Sequence, residues 1–417
     1  MLVKTILNNI EKFKSFVYGG DYFEEHRGER RIIIELSARQ NSQGECNDCG
    51  KRCPTYDTQL ARDYEYVPLW NIHFYFRYAA RRVQCKEHGI HVERLPWASG
   101  KEHMTTSYQY FLATWAKRLS WKETANVFST SWDSVYRAVA KVVEYGLANR
   151  EWDNVEQLGV DEIAVFKGHR YLTMVYQLDK GLRRLLWCGE ERKTTTLMAF
   201  FKEFGKARSA RLKFVCSDMW RPYLNVIKKK ARNALNILDR FHIMKKFNEA
   251  IDEVRRQEVK ELKAEGSDNV LHHGRWLLLK KKENLTEKQT VKLSKLLQIN
   301  LKSIKAYLMR EDFQQFWSYT SAKWAKKFLQ DWATRAMQSN LAPMKKVAKM
   351  LRSHKTLILN WFKAKGELSS GAVEGLNNKA KLTMRKAYGF KTLKCLKIAL
   401  YHQMANLKEP PLTHRFC

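Results

Sequence analysis

The chain has little of what breaks or staples a fold: 7 prolines, 19 glycines and 8 cysteines in 417 residues. So few prolines and glycines exclude collagen-like and linker-like architectures, and 51 Trp, Tyr and Phe residues exclude wholesale disorder. Cysteine is too sparse for a disulfide scaffold, and four of the eight cluster at Cys46, Cys49, Cys53 and Cys85, which suggests metal before oxidation. No stretch approaches the roughly 18 uninterrupted apolar residues of a membrane-spanning helix. Lys4, Glu11, Lys12 and Lys14 stand where a signal peptide would have its apolar centre, so the expectation is a cytoplasmic protein with no membrane partner.

Acid is scarce as well. The chain holds 76 Lys and Arg against 43 Asp and Glu, a net charge of +33. Residues 1–200 hold 29 basic and 25 acidic side chains, net +4, whereas residues 201–417 hold 47 and 18, net +29. A cationic membrane binder concentrates its charge in one helix or tail. Here the charge is spread over half the chain, which suits a long polyanion whose counterions are released on binding.

Hydrophobic periodicity divides the chain. Residues 1–104 mix short strand-like runs, Ile32 to Leu36 and Val67 to Tyr78, with the cysteine cluster. Residues 107–150 repeat apolar positions at three and four, as helices do. Strands are predicted at Leu158 to Phe166, Tyr171 to Leu178, Leu185 to Cys188, Leu212 to Ser217 and Ala234 to Leu238. Helices are predicted at Thr195 to Lys206 and Arg221 to Ala231, giving an α/β layer domain. From Phe241 to Phe362 only helical periods occur, rich in Lys and Trp. A last helix is expected from Gly371 to Met404, broken near Tyr388 to Phe390.

Two motifs stand in the first 150 residues. Cys46-x-x-Cys49 and Cys85-x-x-His88 supply four ligands of the kind that closed, structural Zn²⁺ sites use, with Cys53 as a spare for His88. Ser120 with Glu123, and Thr130 with Asp133, are capping-box pairs ten residues apart, which predicts two short helices in a helix-turn-helix. Val135, Ala138, Val139 and Val142 of the second helix would face inward, leaving Ser134, Arg137 and Lys141 toward DNA.

In the basic half, isolated acids are conspicuous. Asp218 is the only acid between Glu203 and Asp239, among nine Lys and Arg, and Glu374 the only one between Glu367 and Glu409, among eight. Asp218 closes the apolar run Phe214-Val215-Cys216, at the strand end where open α/β sheets place ligands. Asp161 lies inside the first strand, where a carboxylate is costly unless paired or bound to a cation. The three are either salt-bridged structural acids or a set that holds Mg²⁺ or Mn²⁺ for phosphoryl transfer. Three carboxylates about 4 Å apart would repel by roughly 4 kcal/mol per pair, so a gathered set calls for metal.

Taken together these motifs resemble, over nearly the whole chain, transposases of bacterial insertion sequences of the ISL-three family. The matching stretches are the two knuckles running into Val92-Glu93-Arg94-Leu95-Pro96-Trp97, the helix-turn-helix, Gly159-Val160-Asp161-Glu162, Ser217-Asp218-Met219, Asp239-Arg240-Phe241-His242 and Gly371-Ala372-Val373-Glu374-Gly375-Leu376-Asn377-Asn378-Lys379. His88 departs from the commoner pattern, which has a cysteine there. The resemblance implies an RNase H-like catalytic core with its DDE triad on Asp161, Asp218 and Glu374, and a helical insertion within the 155 residues between the last two. It also implies a bracing role for Asp239 and His242, which read on physics alone as a helix N-cap and a packed ring.

The expected domains are thus a zinc module (1–104), a helix-turn-helix (105–150), the first part of the catalytic domain (151–240), the helical insertion (241–362) and the catalytic remainder (363–417). Asn377, Asn378 and Lys381 share a helix face with Glu374 and are expected to meet DNA or the metal shell. Trp276 either stacks on an extruded base or fills a core. The resemblance implies double-stranded DNA as partner, terminal repeats and target alike, a nucleoid location, and at least a homodimer to bring two ends together. Two other functions remain open on residues alone: a non-catalytic regulator using residues 1–150, and a general metal-dependent nuclease.

Overall fold

In the computed structural model, which describes residues 3–166, 170–266, 271, 274–280, 282–299, 301–364, 371–387 and 389–411, the chain is mixed α/β and divides into two units. Met1–Arg150 and Leu382–Cys417 form one, and Glu151–Lys381 the other.

The first unit starts with α1 (Val3–Ile10) and strands β1 (Phe16–His26), β2 (Glu29–Ala38), β3 (Gly44–Glu45), β4 (Arg52–Cys53), β5 (Thr55–Thr58), β6 (Arg62–Leu69), β7 (Ile72–Tyr78), β8 (Arg81–Cys85) and β9 (Gly89–Val92). One sheet has the order β1-β2-β7-β6. Period two sorts its side chains: Ile32, Ile34, Leu36, Tyr64, Tyr66, Phe74, Phe76 and Tyr78 enter an aromatic core around Trp97. Arg77 on the opposite face pairs with Asp63 at 2.7 Å and Glu24 at 3.0 Å. The single run expected at Val67 to Tyr78 is in fact the end of one strand and all of the next. Trp70 and Asn71 turn the chain with φ of 50° and 63°, the left-handed conformation that tight hairpin turns require.

Helices α2 (Thr106–Ala116), α3 (Trp121–Val127) and α4 (Trp132–Ala148) follow. Ser120 and Glu123 form the expected capping box on α3. The second expected box is displaced by one residue: Ser131, not Thr130, caps α4 and accepts from the Ser134 amide, because the chain reverses through Ser129 at φ 49°.

The second unit is built on strands β10 (Gln157–Phe166), β11 (Arg170–Gln177), β12 (Arg184–Glu190), β13 (Phe214–Ser217) and β14 (Leu235–Leu238), in the order β12-β11-β10-β13-β14. The first three are antiparallel neighbours, while β13 and β14 run parallel to β10. Helices α5 (Thr194–Phe204), α6 (Lys206–Arg211) and α7 (Arg221–Lys230) supply the parallel connections. Leu158 and Val160 of β10 share one core with Phe200, Phe204, Val226 and Ile227.

After β14 follow α8 (Arg240–Ala264), α9 (Arg275–Leu279), α10 (Glu287–Leu297), α11 (Lys302–Gln314), α12 (Ala322–Gln338), α13 (Ala342–Ser353) and α14 (Lys355–Lys363), with no strand among the described residues and the last of them packed back on β14. They enclose a core around Phe247, Phe313 and Trp332 that Leu238 of β14 also enters. Buried Glu258 accepts from the amide of Ser303 at 2.9 Å and takes over the N-cap of α11, where Leu301 offers no side-chain acceptor. Beyond them, α15 (Ala372–Lys386) and α16 (Leu393–Met404) are separate helices. The break falls at Gly389, φ 99°; Tyr388, expected at the same break, lies outside the described residues.

The expected block 363–417 is divided: the boundary between the units falls within α15, and the residues beyond it group with residues 1–150. There α16 packs on α4, and a Cβ added to Gly146 would stand 2.5 Å from Leu407. Among the described residues no helix is long and apolar enough to cross a membrane.

Candidate functional site

Strands β13 and β14 are each followed by a carboxylate, Asp218 and Asp239, and the neighbouring β10 carries a third in its middle. Asp161 on β10 and Asp218, one residue past β13, are both buried. The Asp218 carboxylate accepts from the Trp220 amide at 2.9 Å and from Arg192 Nη2 at 2.8 Å. The Asp161 carboxylate accepts from the Glu162 amide at 2.8 Å and from the Asn377 side-chain amide, with His242 Nε2 at 3.5 Å. Asn377 in turn accepts from the Tyr176 hydroxyl at 2.7 Å. Asn377 therefore faces the buried acid, whereas Asn378 and Lys381 on the same helix are exposed.

Glu374 enters from the first turn of α15 and lines a cavity of about 280 Å³ with Arg240, Phe241, Asn248 and Arg310. The helix reaches the sheet because β10 carries glycine beneath it. A Cβ on Gly159 would meet Val373 at 2.8 Å and Leu178 at 3.1 Å. Gly159→Val should push α15 off β10, separate Asn377 from Asp161 and cost about 1–3 kcal/mol by overpacking, measured by thermal melting.

Asp161, Asp218 and Glu374 do not lie within 4.8 Å of one another as a set. They nevertheless share one electrostatic neighbourhood. Asp239, the N-cap of α8, accepts from the Phe241 amide at 2.9 Å. It is pushed up to about 6, first by burial, with the charges of Asp161 and Glu374 adding to the rise. Burial pulls the His242 ring down, but Asp161, Asp239 and Asp218 outweigh it and hold the ring above the usual histidine range.

Glu162 and Arg192 belong to the same centre; Glu162 stands in the matching stretch Gly159-Val160-Asp161-Glu162 without being singled out there, and no pattern in the sequence marks Arg192. Arg192 Nε lies 2.8 Å from Glu162 Oε1 while its Nη2 holds Asp218. Glu162 is pushed up to about 7, first by burial and then by the Asp218 charge, against the pull of Arg192. A folded value above the unfolded one means that the neutral form favours folding. That contribution is complete below about 4.5 and is lost as pH rises through 7. Glu162→Gln should match the wild type near pH 4 and exceed it by roughly 3 kcal/mol at pH 8, measured by urea denaturation without added Mg²⁺ or Mn²⁺.

In the first unit the two knuckles converge. Cys49 Sγ and Cys85 Sγ are 3.8 Å apart, and His88 Nδ1 lies 3.6 Å from Cys85 Sγ and 3.7 Å from Cys46 Sγ. A tetrahedral ion with bonds of about 2.3 Å to sulfur and about 2.0 Å to nitrogen sets those edges at about 3.8 and 3.6 Å, so the four residues fit zinc. The Cys85 thiol is pushed down to about 6, first by the Glu87 backbone amide and then by His88, whereas Cys49, despite the Lys51 backbone amide, is pushed up to about 11 by burial and by the Cys46 and Cys85 thiols. Cys53 is buried beside this set without joining it, its thiol on the Lys51 carbonyl at 3.4 Å. His91 was not anticipated: its Nε2 lies 3.1 Å from Cys46 Sγ, in a second possible group with Asp48.

Of the three residues expected to reach from α4 toward DNA, Arg137 is exposed and paired with Asp133 at 3.4 Å, and Ser134 bonds to the cap Ser131. Lys141 is engaged elsewhere, its ammonium 2.8 Å from Glu102 and 3.0 Å from Ser99 Oγ. Ser134 and Arg137 instead line a cleft of about 400 Å³ with Lys101 and His103. Trp276, placed in a core by one expectation, stands 57% exposed on α9 with Arg275 over its ring at 5.2 Å.

The fold and these two centres define a modular α/β protein: a Cys₃His cluster that could hold a metal ion in one unit, and a group of buried carboxylates beside the parallel strands in the other. Residues 158–400 match the profile of a family described as transposase, and the chain belongs to that family, the ISL-three transposases. It is 29% identical over 349 residues to the transposase for insertion sequence element IS1001 of Bordetella parapertussis, covering 83% of this chain and 85% of the relative. It is 26% identical over 390 residues to the transposase for insertion sequence element IS1557 of Mycobacterium tuberculosis, covering 88% and 87%.

Proposed function

We propose that this transposase binds the terminal inverted repeats of its insertion sequence, cleaves the phosphodiester at each end and joins the 3′ ends to target DNA, with Asp161, Asp218 and Glu374 as a DDE triad. The observation that carries the reading is that Asp161 and Asp218 each follow the last pair, Val160 with Ser217, of the parallel ladder between β10 and β13, with the helix of Glu374 packed directly on β10. The sheet order, with an antiparallel meander on one side of β10 and two parallel strands on the other, supports an RNase H-like core interrupted by the helices α8–α14.

The donor set suits a hard divalent cation. All donors are carboxylate oxygens, and two of them, Asp161 and Asp218, are buried, where a cation offsets the cost of their charge. Mg²⁺ or Mn²⁺, when bound, supplies Lewis acidity to the reacting phosphate and lowers the pKa of the attacking water or hydroxyl. The chain's own part is orientation: Tyr176 fixes Asn377, Asn377 fixes the Asp161 carboxylate, and the Trp220 amide fixes Asp218. The His242 ring beside Asp161, held above the usual histidine range by the neighbouring acids, tempers the repulsion among them. The surrounding Lys and Arg hold the DNA backbone, and the knuckle and helix-turn-helix choose the site.

The test is cleavage in Mg²⁺ of DNA carrying the element's end against scrambled DNA of the same composition. Cuts confined to the element end support the reading. Equal cutting of both makes the protein a general nuclease, and binding without cutting makes it a regulator.

A further inference from the structure

Arg192 is the one cation in direct contact with the carboxylates at the strand ends among the described residues other than His242, and its placement is specific. Nε and Nη2 lie on the same edge of the guanidinium. That edge grips a single carboxylate in an ordinary bidentate pair. Here it is split, with Nε on Glu162 Oε1 and Nη2 on Asp218 Oδ2, each at 2.8 Å. The contact to Glu162 is an ion pair without the alignment of a hydrogen bond, so Glu162 Oε1 and Arg192 Nε are both buried and unsatisfied. The plane of the guanidinium is held from one side by the Trp220 ring, 4.5 Å away, on the residue whose amide orients Asp218. About a third of the Arg192 side chain remains exposed, leaving it an outward path.

We propose that Arg192 is an internal counterion that occupies Asp218 and Glu162 in the metal-free protein and must yield Asp218 before a divalent cation can use it, so that metal loading is coupled to DNA binding. One positive charge serves two carboxylates, and a divalent cation competes for the same Asp218 oxygens. A DNA phosphate is the group that can accept the displaced guanidinium, because it offers the planar oxygen pair that Arg prefers. Linkage then runs both ways: DNA that draws Arg192 away raises the affinity for metal, and metal raises the affinity for DNA by the same factor. The proposal rests on the reading of Asp218 and Asp161 as metal ligands, and Arg192 acts on metal through Asp218 as a positioning residue.

The experiment is calorimetric titration of Mn²⁺ into the full-length, zinc-replete chain, alone and with element-end DNA, for wild type, Arg192→Gln, Arg192→Lys and Asp161→Asn. The Mn²⁺ electron paramagnetic resonance signal gives a second measure of bound metal. Arg192→Gln should bind Mn²⁺ about tenfold more tightly than wild type without DNA and lose most of the tightening that DNA brings to the wild type. Arg192→Lys, which keeps the charge without the fork, should fall between them and covers the case in which the Gln variant misfolds. Unchanged or weaker Mn²⁺ binding in these variants, with Asp161→Asn abolishing it, overturns the counterion and leaves the triad standing. Full Mn²⁺ binding by Asp161→Asn overturns the triad reading and the counterion with it.

Discussion

Asp161→Asn, Asp218→Asn and Glu374→Gln are each expected to bind element-end DNA as the wild type does and to lose Mg²⁺-dependent cleavage by on the order of 10³-fold, or ~4 kcal/mol of barrier. The substitutions are nearly isosteric and remove one charge, so the test isolates charge from packing. Asp161 is the most informative of the three, because its carboxylate already accepts from Asn377 and from the Glu162 amide. An Asn there can keep the amide bond while giving up the anionic donor. Glu374 stands in a cavity wall rather than in a packed network, so Glu374→Gln should leave thermal stability within about 0.5 kcal/mol. Gel-shift titration and a strand-cleavage assay measure the two effects separately. Undiminished cleavage by any one variant removes that residue from the triad.

The second large effect concerns the knuckle. Cys85→Ser, or removal of metal by a strong chelator, is expected to abolish stoichiometric zinc and to expose the segments 44–58 and 81–93 to protease, a loss of several kcal/mol. The reason is local. The strands β3, β4, β5, β8 and β9 are two to five residues long and have few apolar residues beyond Val83 and the cysteines to hold them. Cys53→Ser should keep zinc, because that thiol is bonded to the Lys51 carbonyl outside the four-residue set. His88→Ala should lose it and His91→Ala should keep it, as measured by zinc content of the purified chain. The reverse pair of results would move the fourth ligand to His91, whose ring nitrogen lies 3.1 Å from Cys46.

Much of the fold is legible in the sequence where the signal is local. Alternating Ile, Tyr and Phe place the strands of the first sheet, apolar runs ending in Ser217 and Leu238 place β13 and β14, and Ser120 with Glu123 places the start of α3. The errors are local too. The tight turn at Trp70 and Asn71 carries no glycine, so a hairpin reads as one strand; Thr130 precedes Ser131, so a cap reads one residue early. The carboxylate centre is legible only in part. Asp218 and Glu374 stand out because each is a lone acid in a basic stretch. Arg192 sits in an ordinary Glu-Arg-Lys turn, and nothing in its spacing says that it will lie between Glu162 and Asp218.

By itself, the sequence determined which residue types were available and where: a long cationic half, two ligand pairs, and the isolated acids Asp218 and Glu374. These are properties of composition and of periods two to four residues long, so no distant contact is needed to set them. Only the tertiary structure decided which side chains are used up. Glu102 takes Lys141 from α4; Tyr176 and Asp161 draw Asn377 inward; Arg192 reaches Asp218 and Glu162; and the segment beyond Lys381 joins residues 1–150 instead of the sheet. Each depends on a close approach between residues far apart in the chain, as where Gly159 admits α15 and Gly146 admits Leu407. Side-chain periodicity reports the face a residue takes, and packing alone sets the partner it meets there.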